Sequence, residues 1–85
     1  MSKKTYQKVA DLIKKNMDAG YLLNMEELYG TDPFGGSVRE KYFINYRINL
    51  LQEYGSLTGR EAQRLRILAS DLFVKALDDI KEAKT

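Results

Sequence analysis

The chain has 85 residues, of which 44% are apolar, and fourteen basic side chains stand against twelve acidic ones for a net charge of +2. A chain of this length buries only a little more than ~60% of its unfolded surface and holds one core, so a single domain is expected; the apolar content and lone proline exclude disorder. Histidine and cysteine are absent, which removes the usual general base, the usual nucleophile pair, the common zinc and iron ligands and any disulfide. The expectation is a non-enzymatic protein with no catalytic residues, no metal and no cofactor.

"MSKKTYQKVADLIKKN" opens with lysines but lacks the apolar run of a secretory signal, and nowhere do about eighteen apolar residues follow one another. Neither export nor membrane contact is expected, and a cysteine-free chain suits the cytoplasm. From about Lys4 to Ala19, Tyr6, Val9, Ala10, Ile13 and Met17 recur at three- and four-residue steps, which predicts an amphipathic helix closed by Gly20. Tyr21 to Leu23 then cross the edge of the core. Asn24 is the expected cap of a short helix through "MEELYG", with Glu26 and Glu27 in its first turn and Gly30 at its end.

"GTDPFGGS" is rich in turn formers and reads as a loop, with Phe34 tucked toward the core. It lacks the Gly-Lys-Ser/Thr ending of a phosphate-binding loop. Ser37 and Glu40 have the spacing of a capping box for a helix from Val38 to Tyr54, before Gly55. Within it "YFINYRINL" alternates like a strand, but a strand needs a neighbour and no other segment alternates, so helix is the reading. Thr58 and Glu61 repeat the capping spacing and start the longest helix, about Gly59 to Ala83. The fold class is all-α: four helices of unequal length, the last long.

On a helical projection of residues 38–54, Ile44, Ile48 and Leu51 fall on one side while Arg39, Tyr42, Tyr46, Asn49 and Glu53 gather opposite, with Asn45 at the margin. The first side is a core face. The second carries residue types that reach phosphates and base edges, and it equally suits a core wrapped around a buried helix. In the last helix Ala62, Leu65, Leu68, Ala69, Leu72, Phe73, Ala76 and Ile80 form a broad apolar face, while Ile67 and Val74 lie beyond it, seven residues apart. These two are either covered by the first helix or form the seam of a homodimer.

"KVADLIKKN", "MEELYG" and "YRINLLQEYGSL" together resemble helix-turn-helix and winged-helix DNA-binding domains over about residues 8–57, through Arg47, Ile48, Leu51 and Gly55 of the third segment. The resemblance implies a small regulator that binds double-stranded DNA. Arg39, Tyr42, Asn45, Tyr46 and Asn49 would then lie on or beside the groove-facing side, and Lys3, Lys4, Lys8, Lys14 and Lys15 would reach phosphates. The "GTDPFGGS" connection is longer than the turn usual in such domains, and a helix follows Leu57 where a winged domain has a hairpin. The other reading is a protein-protein interaction module, such as an inhibitor or immunity-type protein of phage or plasmid origin, docking through the tyrosine-rich face or the acidic C-terminal segment with Asp71, Asp78, Asp79 and Glu82.

Overall fold

A computed structural model describes residues 2–30 and 36–84, which form four helices: α1 (Ser2–Asn16), α2 (Ala19–Tyr29), α3 (Gly36–Glu53) and α4 (Gly59–Lys84). Among the described residues there is no strand, so the alternating stretch around Asn45 is helical. At about 1.5 Å per residue, 26-residue α4 is ~39 Å long. It accounts for the long dimension of a molecule measuring 43 × 20 × 15 Å.

The expected apolar spacing does become the core. Val9, Ala10 and Ile13 of α1 and Met17 just after it are buried together with Ala62, Leu65, Ala69, Phe73, Ala76 and Ile80 of α4, Ile44 and Ile48 of α3, and Leu22 of α2. All three other helices pack on α4. The α3–α4 hairpin is antiparallel: Asn49 meets Arg66 near the turn, and the Lys41 ammonium lies 4.9 Å from the centre of the Phe73 ring farther along. The end of α1 lies beside Leu72 and Ala76, and its start lies beside the end of α3.

Two predicted boundaries are corrected. First, Gly20 is not a stop. The chain leaves α1 at Asn16, and Asp18 caps α2 by accepting a 3.1 Å hydrogen bond from the Tyr21 backbone N–H, so Gly20 and Tyr21 to Leu23 lie inside α2 and Asn24 caps nothing. Glu26 and Glu27 consequently fall in the later half of that helix.

Second, Ser37 is not a cap, because α3 already begins at Gly36. The Ser37 hydroxyl donates to Glu26 Oε1 at 3.1 Å, and Glu40 accepts a 2.7 Å bond from Asn16 Nδ2, so both side chains tie α3 to other helices. Gly36 has φ +33°, and a Cβ there would come within 2.7 Å of the Gly30 carbonyl oxygen; only glycine permits so close a crossing of α2 and α3. Phe34 lies outside the described residues.

Other signals hold. Gly55, at φ +80°, closes α3 with paired bonds from Ser56 N–H to Leu51 O and from Gly55 N–H to Gln52 O, the arrangement in which a left-handed glycine satisfies the last carbonyls. Thr58 and Glu61 form the reciprocal capping box of α4, with bonds of 3.1 and 2.9 Å. No helix among the described residues is long and apolar enough to cross a membrane.

Candidate interaction surface

Helix α3 is buried on only one side. Ile44 and Ile48 are 3% and 0% exposed, and Leu51 is half-buried against the same core. The opposite side keeps large aromatic rings in solvent: Tyr42 is 74% exposed and Tyr46 57%. Arg39 is exposed as well, and its guanidinium lies 5.5 Å from the ring centres of both Tyr29 and Phe43, within cation–π range.

The residues expected to share this outer face divide. Arg39, Tyr42 and Tyr46 point outward as expected. Asn49 is exposed, but its Oδ1 accepts two bonds from the Arg66 guanidinium, at 3.2 Å from Nε and 2.7 Å from Nη2, and Nη2 also reaches Gln52 Oε1 at 2.6 Å. Asn49 therefore belongs to the α3–α4 seam. Asn45, half-buried, sits one helical turn from both Asn49 and Lys41 on that same side.

The five α1 lysines are all exposed. Helical geometry puts Lys4, Lys8 and Lys15 on one line and Lys3 and Lys14 on another. Lys8 borders the space between α1 and α3, whereas Lys14 borders a depression shared with Lys75 and Asp79 of α4. They do not form one patch.

Between α1 and α3 the helices stand apart and leave an open groove of about 830 Å³. Val9 and Leu12 of α1 and Leu50 and Leu51 of α3 form its floor; Phe43, Tyr46 and Tyr54 rise along one rim, with Phe43 54% and Tyr54 78% exposed. Phe43, Leu50 and Tyr54 are not among the residues that the projection of 38–54 singles out. The signal was present: positions 43, 46/47, 50 and 54 make a second apolar stripe at helical spacing, distinct from the 44/48/51 core stripe.

On α4, Ile67 and Val74 are 51% and 55% exposed, so α1 does not cover them and the internal-core alternative is ruled out. In the interior, every buried side-chain nitrogen or oxygen among the described residues has a hydrogen-bond partner. One acid–base property is shifted. Burial, and secondarily the charges of Glu40 and Tyr29, push the Tyr21 hydroxyl above its ordinary pKa of 10.0. No family model matches the chain, and no curated protein or solved structure is significantly similar to it.

Proposed function

We propose that the chain is a small non-enzymatic module that binds another protein through the outer side of α3. The observation that carries this reading is the set of solvent-exposed rings at Tyr42, Phe43, Tyr46 and Tyr54. Leaving large aromatic surface in water forfeits burial energy that the fold does not recover, and tyrosine and arginine are the residue types that concentrate binding energy at protein interfaces. A cytoplasmic inhibitor or immunity-type protein of phage or plasmid origin is the kind of molecule this describes. The test is affinity capture with nuclease present, comparing the parent with a Tyr42→Ala/Tyr46→Ala variant. A protein retained by the parent and depleted at least about tenfold by the variant is expected, since losing interface aromatics costs more than ~1.4 kcal/mol. Identical capture by both proteins would overturn the reading.

The second reading, a DNA-binding regulator of helix-turn-helix type, is favoured by the exposure of Arg39, Tyr42 and Tyr46 on one side of α3 together with Lys8 nearby. A homodimer through Ile67 and Val74 belongs to it, because paired half-sites suit a two-fold reader. The hold of Arg66 on Asn49 counts against it, since a bidentate contact to adenine needs the Asn49 oxygen free. Titration with mixed-sequence duplex at about 50 mM salt separates the readings: a regulator binds with a steep salt dependence, and a protein-binding module does not bind.

A further inference from the structure

Resting on the protein-binding reading, we infer that the α1/α3 groove receives an acidic amphipathic helix from a different protein. Two properties of the groove select that occupant. Its floor is apolar, formed by Val9, Leu12, Leu50 and Leu51, so the ligand must present a hydrophobic stripe. Its charged lining among the described residues consists of Lys8 and Arg47, with no carboxylate among them. Both cations are exposed. A stripe flanked by Asp or Glu satisfies the floor and these cations together, whereas a basic helix would meet like charge from both walls.

The dimensions agree. From Thr5 to Leu12 the α1 wall runs about 10 Å, and from Phe43 to Tyr54 the α3 wall runs about 16 Å, at ~1.5 Å per residue. That length matches two to three turns of a docked helix, whose anchors at i, i+3/i+4 and i+7 are the usual pattern of helix-in-groove recognition. A second copy of this chain is disfavoured in the groove-to-groove arrangement, because two-fold symmetry opposes the Lys8 and Arg47 pair of one copy to the same pair of the other. Nucleic acid would satisfy the cations and leave the aliphatic floor uncovered.

The probe is a fluorescein-labelled helical peptide of about 18 residues with leucines on one face and glutamates beside them, measured by anisotropy against the parent protein. Controls are the same peptide with lysine for glutamate, the peptide with serine for leucine, an oligo(dT) strand and a duplex. The glutamate peptide is expected to bind at least about tenfold tighter than either control peptide. A Lys8→Glu/Arg47→Glu variant should reverse the order of the acidic and basic peptides; both positions are exposed, so the helices should be retained and circular dichroism will verify it.

Amide shifts on the unaltered protein give a second readout and should cluster at Val9, Leu12, Leu50 and Leu51. Equal affinity for acidic and basic peptides, shifts centred elsewhere, or tighter binding of oligo(dT) or duplex would each overturn the inference. Tyr42 does not line the groove. If the peptides fail while capture still depends on Tyr42 and Tyr46, the groove assignment falls and the protein-binding reading survives. If a nucleic acid binds through the groove, both fall. Concentration-dependent self-association lost on charge reversal would assign the groove to a second copy and refute the heterologous occupant.

Discussion

Helices α3 and α4 both carry apolar residues at helical spacing and use them differently. In α4 the stripe from Ala62 to Ile80 packs on the core, with Leu68, Leu72 and Leu77 half-buried at its margins, and Ile67 and Val74 stand outside it. Along α3 and the residue after it there are two stripes: Ile44, Ile48 and Leu51 reach the core, and Phe43, Leu50 and Tyr54 line an open groove. Apolar periodicity therefore identifies a helix and its candidate faces, but a helix at the edge of a small bundle can have more apolar faces than its neighbours can cover. The surplus is the surface on which the proposed partner would dock.

The contrast breaks most clearly in stability measurements. Leu65 is fully buried, and Leu65→Ala should cost about 2–5 kcal/mol in urea denaturation, from lost transfer energy plus a cavity. A smaller effect comes from Thr58→Ala, which removes the cap of α4 and should cost about 1 kcal/mol. The Tyr42→Ala/Tyr46→Ala pair, by contrast, should stay within about 0.5 kcal/mol of the parent per site, as surface changes do. A loss of several kcal/mol there would make the outer face structural and erase the distinction between the two helices.

The weakest effect belongs to Tyr21. Its folded pKa lies above the ordinary value of 10.0, so the unfolded chain releases the proton first. The stability contributed by the neutral ring is intact below pH 10.0 and declines as pH rises from there through the folded value. Tyr21→Phe should flatten that alkaline decline, read from denaturation midpoints across the range, and should change nothing at neutral pH beyond the effect of losing the hydroxyl.

Much of the fold was legible because its signals are local. The Thr58/Glu61 box, Gly55 at the end of α3 and the core spacing of α1 and α4 involve residues within a few turns of one another. The misreadings have two causes. Gly20 reads as a helix stop, but a stronger local signal, Asp18 capping α2 through the Tyr21 N–H, overrides it. Ser37 and Glu40 had capping spacing but bond Glu26 and Asn16, partners 11 and 24 residues away. The bond from Arg66 to Asn49 was equally hidden from a local reading, because the two lie 17 residues apart. The outward placement of Tyr42 and Tyr46 was readable from the projection; the groove was not, since it depends on how far α1 stands from α3.

The most direct test of the central claim is photo-cross-linking in cells from a benzophenone side chain placed at Tyr46 or Tyr54, with Asp71 on exposed α4 surface as the reference position. A discrete, nuclease-resistant protein adduct is expected from positions 46 and 54 and none from 71. Adducts to nucleic acid, or the same adducts from all three positions, would contradict it.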